Sequence, residues 1–141
     1  MKFWDSSALI PLLTNEPASD TCRGWLALDP IVLVWSFSAV EVTSALERRR
    51  REGRLRGAQL AAARRRLGKL ESSWSEIAAY EAVRAKARRL LALHALRAAD
   101  AMQLGAALIA CEDRPAALDF VTLDARLASA AEREGFPVRT T

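Results

Sequence analysis

Histidine occurs once in the 141 residues, at position 94, cysteine twice, at positions 22 and 111, and lysine three times against eighteen arginines. Each shortage removes a class of chemistry. One histidine cannot build a multi-histidine metal centre. A histidine-dependent triad would have to use His94, which falls in a Leu/Ala-rich helical stretch and reads as a helix-face residue. Cys22 and Cys111 lack a C-x-x-C spacing, so a zinc knuckle, a thioredoxin-type site and a disulfide framework are not supported. They read as small buried side chains of a reducing compartment. Glycine and proline together number only eleven, which argues against a disordered or fibrous chain. No apolar run reaches the roughly 18 residues that a membrane span needs. Asp5 and Pro11 interrupt the N-terminal apolar stretch, and no small-residue cleavage site follows it, so no signal peptide is expected. These absences predict a soluble, cytoplasmic protein with no membrane partner.

What is present fits one globular domain over residues 1–141, with 51% hydrophobic and 27% charged residues. The net charge is only +4. The arginine bias is more suggestive, because the guanidinium fork matches phosphate and so hints at a polyanionic partner.

Short apolar runs alternate with longer amphipathic ones, the pattern of an α/β fold on a short parallel sheet of four to five strands flanked by helices. Lys2 to Trp4, Ile31 to Trp35, Trp74 to Ile77, Phe120 to Thr122 and Pro137 to Arg139 read as strands. Helices are expected from Ser6 to Leu13 and from Asn15-Glu16-Pro17 to Leu28, where Asp29-Pro30 stops the turn. Further helices are expected from Ser38 to the Arg48–Arg51 run, Gln59 to Leu70, Ala79 to Leu93, Arg97 to Cys111 and Ala125 to Glu134. Ser38-x-x-Glu41 has the spacing of a capping box.

The acids carry most of the functional information. Asp5 ends the first strand, Glu41 and Asp100 lie in first helical turns, and Asp124 follows the Phe120 to Thr122 strand. In a parallel α/β sheet those positions share the edge where ligands bind. Asp5 and Asp124 also suit helix caps, and Glu41 suits the reciprocal half of the capping box. Asp100 sits on a helix with almost no polar face, with Arg97 one turn earlier as its structural partner. Several ionised acids on one edge repel unless a cation balances them. Oxygen donors without histidine or cysteine favour Mg²⁺ or Mn²⁺ over zinc, and such an ion can activate water for phosphodiester hydrolysis. Rival acid sites fail on composition. Ser7 stands where an Asp-x-Asp phosphatase needs its second acid, and no lysine is placed for a phospho-receiver domain. No glycine-rich nucleotide loop occurs.

Four segments in order, MKFWDSSALIPLL, SFSAVEVTSAL, LRAADAMQLGAAL and FVTLDARLASAAEREGFPV, resemble the successive motifs of PIN-domain nucleases. Length and spacing are similar to the VapC-type ribonuclease toxins of toxin–antitoxin pairs. The resemblance implies that Asp5, Glu41, Asp100 and Asp124 ligate one or two Mg²⁺ or Mn²⁺ ions, with Ser7 and Thr122 as polar support. It also implies an RNA substrate, a homodimer and a cognate antitoxin protein that occupies the acidic groove. Asp124 is preferred to Asp119 because it holds the Thr-x-Asp position.

Six arginines fall within Arg48 to Arg56, and Arg64 to Arg66 adds three more. At 100° per residue four consecutive arginines fan around most of a helix, so they cannot all face one ligand. Arg48, Arg49, Arg51 and Arg54 are candidates for RNA-backbone contact, or else form a solvated helix end. A different reading remains open, a binding module in which the acids are caps and the arginines engage nucleic acid or protein. So does a nuclease acting on DNA or in RNA maturation. Trp4 and Trp35, on strands, are expected in the core.

Overall fold

The computed structural model describes residues 1–141. Five parallel strands, β1 (Lys2–Trp4), β2 (Val32–Trp35), β3 (Ser75–Ile77), β4 (Asp119–Val121) and β5 (Val138–Arg139), form one sheet in the order β3-β2-β1-β4-β5. Seven α-helices connect them: α1 (Ser6–Leu13), α2 (Ser19–Leu28), α3 (Ser38–Arg51), α4 (Gly57–Glu71), α5 (Tyr80–Leu93), α6 (Ala98–Ala110) and α7 (Ala125–Arg133). A short 3-10 turn at Pro115–Ala117 precedes β4. The α/β class and every expected element are present.

The pleat of the sheet sorts the strand residues onto two cores. Phe3, Leu33, Trp35 and Phe120 point to one face and pack with α5, α6 and α7. Trp4, Val32, Val34 and Val121 point to the other and pack with α1 to α4. Both Trp4 and Trp35 are fully enclosed, as expected of strand residues, and Phe3 stacks on Phe120 at 5.5 Å. Burial on both faces explains why β2 reads as a continuous apolar run.

Helices α5 and α6 make the closest pair, and Gly105 explains how. A Cβ there would stand 3.1 Å from the Val83 carbonyl oxygen and 3.3 Å from the Ala87 nitrogen. Hydrogen on that carbon keeps the two backbones in contact.

Several local expectations change. Helix α2 begins at Ser19 rather than at Pro17, because the Ser19 hydroxyl accepts from the Glu16 N–H and donates to the Thr14 carbonyl. His94 does not lie on a helix face; it terminates α5 and pairs through Nε2 with Glu134 at 2.8 Å. Burial would raise the Glu134 carboxyl, but hydrogen bonds from Arg89 and His94 outweigh it and hold the group below its ordinary value. This pair lies beyond the C-terminal end of α7, at the opposite end of that helix from Asp124. Cys22 and Cys111 are buried and unpaired, and their thiols are pushed up, Cys22 to about 11, chiefly by burial. No helix is long and apolar enough to cross a membrane.

Candidate metal centre at the carboxyl edge of the sheet

Strand β1 delivers Asp5 to the carboxyl edge of the sheet, where it caps α1. The Asp5 carboxylate is 4% exposed. Its Oδ2 accepts from the Ser7 N–H at 3.1 Å, from the Ser7 hydroxyl, and from Thr122 Oγ1 at 3.0 Å. Ser7 and Thr122 thus meet on one acid oxygen, and Asp5 Oδ1 carries no hydrogen bond. Burial pushes the Asp5 carboxyl above its ordinary value, the three donors oppose that shift, and the Asp100 charge adds to it.

Glu41 enters from the first turn of α3, and here the expected capping box is absent. Phe37 is the N-cap residue, and Ser38 makes no capping bond. Both side chains are recruited by α6 instead. Gln103 Nε2 lies 3.1 Å from Ser38 Oγ, 3.2 Å from Glu41 Oε1 and 2.7 Å from Ser6 Oγ, while Ser6 Oγ donates to Glu41 Oε2 at 3.1 Å. The capping spacing is therefore incidental, because a buried amide 62 residues away offers Glu41 a better-shielded partner. Burial pushes the Glu41 carboxyl up to about 7, with the charges of Asp5 and Asp100 adding and the bonds from Ser6 and Gln103 opposing.

Asp100 is half-buried in the first turn of α6, and its Oδ2 accepts from the Arg97 N–H at 3.4 Å. The expected Arg97 ion pair does not form; Arg97 and Arg126 act on Asp100 only as nearby charges. Burial is the main reason its carboxyl is raised, and the Asp124 charge raises it further. Asp124 caps α7, its Oδ1 accepting from the Arg126 and Leu127 N–H groups at 2.8 and 2.9 Å. Thr122 Oγ1 also accepts from the Asp124 N–H at 3.1 Å, which ties β4's acid to Asp5 through one hydroxyl.

All four acids thus meet at one sheet edge. Capping and ligation do not compete, because each aspartate spends one oxygen on local structure. Asp5 Oδ1, Asp100 Oδ1 and Asp124 Oδ2 keep no hydrogen bond. No three of the carboxylates close into a preformed cage. The acids act on one another electrostatically, since Asp5 feels Asp100, Glu41 feels both, and Asp100 feels Asp124. A set of hard oxygens of like charge suits a Mg²⁺- or Mn²⁺-class cation, with waters completing its shell.

Asp119 is separated from this group by the strand itself. It opposes Lys2 in register, at the amino end of β4, and pairs with Arg139 at 2.9 Å. The candidate RNA-contact arginines also lie elsewhere. Arg49 is about 12 Å along α3 from Glu41, eight residues at 1.5 Å each. It pairs with Glu16, and Arg54 pairs with Glu52. Arg48 and Arg51 are exposed and have no carboxylate partner.

Gln103, Ser6 and Ser38 are the residues sequence reasoning missed. The signal was present for Gln103, the one polar side chain besides Asp100 within the otherwise apolar α6 and wholly buried. Its Oε1 has no hydrogen-bond partner. Nothing local distinguishes Ser6 or Ser38 from ordinary helix-start serines.

Comparison with known proteins agrees with this architecture. No curated protein matches the sequence at a significant level. Among solved structures, the crystal structure of PAE2754 from Pyrobaculum aerophilum aligns with a TM-score of 0.64 and 22% identity, covering 99% of this chain and 89% of that one. At that identity the likeness is one of fold. A family model described as PIN domain matches residues 2–133, nearly the whole chain, and the protein therefore belongs to the PIN domain family.

Proposed function

We propose that this PIN domain, a nuclease-type fold, is a Mg²⁺- or Mn²⁺-dependent endoribonuclease, with Asp5, Glu41, Asp100 and Asp124 as its metal-binding and catalytic acids. The observation that carries the reading is that Asp5 Oδ1, Asp100 Oδ1 and Asp124 Oδ2 keep no hydrogen bond, beside acids that burial chiefly, and a neighbouring acid's charge secondarily, hold above their ordinary values. Three acids held up in this way beside Asp124, with local structure using only one oxygen of each aspartate, call for a cation.

In this reading the aspartates supply Asp5 Oδ1, Asp100 Oδ1 and Asp124 Oδ2, directly or through water. Bound there, the ion would lower the pKa of a water and offset charge on the phosphorus under attack. The chain's own residues fix the donors. Ser7 and Thr122 hold Asp5 Oδ2, and the α7 N–H groups hold Asp124 Oδ1. The Gln103 amide holds the Glu41 carboxylate, which burial keeps above its ordinary value in the metal-free site. Exposed Arg48 and Arg51 are available to RNA phosphates beyond the scissile bond.

The resemblance of the four motifs extends this proposal to a toxin of the VapC type, working as a cytoplasmic homodimer and silenced by a cognate antitoxin protein. Incubation of the purified protein with total RNA and with single-stranded DNA, in Mn²⁺ or in EDTA, tests it. Internal cuts in RNA that require the metal are expected. Intact RNA with cleaved DNA points to the DNA-acting alternative. Salt-sensitive RNA binding with no cleavage and no response to EDTA points to the arginine binding module.

A further inference from the structure

Two aromatic rings stand half-exposed on the same sheet edge as the acids. Phe37 follows β2 and starts the turn into α3, one helical turn before Glu41, whose N–H donates to the Phe37 carbonyl at 3.0 Å. Tyr80 opens α5 just after β3. Each ring is 50% exposed, an unfavourable position for large apolar side chains in a chain that buries Trp4 and Trp35 completely. Neither ring is loose. Trp35 packs against Phe37 at 5.5 Å and against Tyr80 at 5.7 Å, the two exposed rings meet edge-on at 6.2 Å, and the Ser36 hydroxyl lies 3.3 Å from the Tyr80 hydroxyl.

Sheet order places this pair beside the acids. The aromatics follow β2 and β3, while Asp5 and Asp124 follow β1 and β4, so one side of the acidic group is aromatic. Arg126, in the first turn of α7 after β4, lies on the other side and acts on Asp100 as a charge. A nucleic-acid strand laid along this edge finds a guanidinium for its phosphates on one flank and aromatic rings for its bases on the other.

We propose that Phe37 and Tyr80 form a stacking platform for a nucleobase next to the scissile phosphate of single-stranded RNA, and so help select the cleavage position. This rests on the nuclease reading above. Size favours a base over a second copy of the chain. Two half-exposed rings and the neighbouring Val40 present roughly 300 Å², judged from the 150–250 Å² that a whole aromatic side chain buries. A stable dimer needs about 800 Å² from each partner, of which about 450 Å² is apolar, more than this patch offers.

The test compares Phe37→Ala, Phe37→Leu and Tyr80→Ala with wild type. Binding of a labelled eight-nucleotide single-stranded RNA is read by anisotropy in the Asp100→Asn background, KM and kcat are read in the otherwise wild-type protein, and sedimentation is read for all. Weakening of about five-fold or more is expected for both alanine variants and for Phe37→Leu, which keeps apolar bulk but lacks a π-face. Phe37→Trp should restore affinity. The loss should appear in KM rather than kcat and should vanish on an oligonucleotide made abasic beside the cut. Equal affinities across the series, no measurable RNA binding at all, or loss of a dimer without change in RNA affinity would each overturn the proposal. If the wild type fails to cut RNA while the aromatic dependence of binding persists, the metal-nuclease reading falls, and with it the platform's part in choosing the cleavage position, while base stacking on the two rings stands.

Discussion

Gln103, wholly buried in α6, holds Glu41 of α3 through an amide-to-carboxylate hydrogen bond of 3.2 Å. The same nitrogen lies within hydrogen-bond distance of the hydroxyls of Ser6 and Ser38, so one side chain fastens two helix starts to the apolar helix that bears Asp100. Replacing it with leucine keeps the volume and removes the donor. Gln103→Leu should lose about 1–3 kcal/mol of stability, because the partners it leaves are buried. It should also move the Glu41 titration further up. Urea denaturation and a carboxyl-resolved NMR titration read the two effects, and an unchanged Glu41 titration would remove Gln103 from the site.

Asp5→Asn and Asp100→Asn are expected to abolish metal-dependent RNA cleavage while leaving the circular dichroism spectrum unchanged. In metal-free buffer at pH 7 Asp100→Asn should melt higher than wild type, since it removes a charge that burial and Asp124 both disfavour. A lower melting temperature with intact cleavage would contradict both halves.

The pH dependence of stability follows from Glu41. Between its unfolded value of 4.5 and its folded value of about 7 the native protein keeps a proton that the unfolded chain has released. Stability therefore falls as pH rises through that window. Asp29 and Glu47 act the other way but lower down. Hydrogen bonds from the N-terminal amine and from Arg64 respectively are the chief causes that hold them at about 2, so their contribution is complete by about pH 4.5. Metal-free melting temperatures should decline from pH 5 to pH 7.5, and Glu41→Gln or saturating Mn²⁺ should flatten the decline. A rise over that interval would show that Glu41 is not held up.

Gly105→Ala tests the packing that supports α6. The added methyl would meet backbone atoms of α5 at 3.1 and 3.3 Å, which cannot rotate away, so a loss of about 1–3 kcal/mol in denaturant titration is expected. Unchanged stability would mean that the two helices separate at no cost.

Much of this architecture was legible in the chain. Burial on both faces writes β2 as an unbroken apolar run, and the acids could be assigned to one edge because each follows a strand or opens a helix. The roles of His94, at the far end of α7, and of Ser38, at the acidic edge, were not legible, because their partners lie far along the sequence. Glu134 is 40 residues from His94, and Gln103 is 65 from Ser38. Local spacing made Ser38-x-x-Glu41 resemble a cap, and only the fold reveals the amide that takes both groups. Phe37 and Tyr80 are single aromatics between unrelated elements, and their meeting depends on the β2–β3 pairing.

The most direct measurement is calorimetric titration of the purified protein with Mn²⁺, beside Asp5→Asn and Asp100→Asn. The four-acid centre predicts saturable binding by the wild type that releases protons near neutral pH, as Glu41 ionises, and that is lost or greatly weakened in both variants. No binding to the wild type, or equal binding to all three, would contradict it.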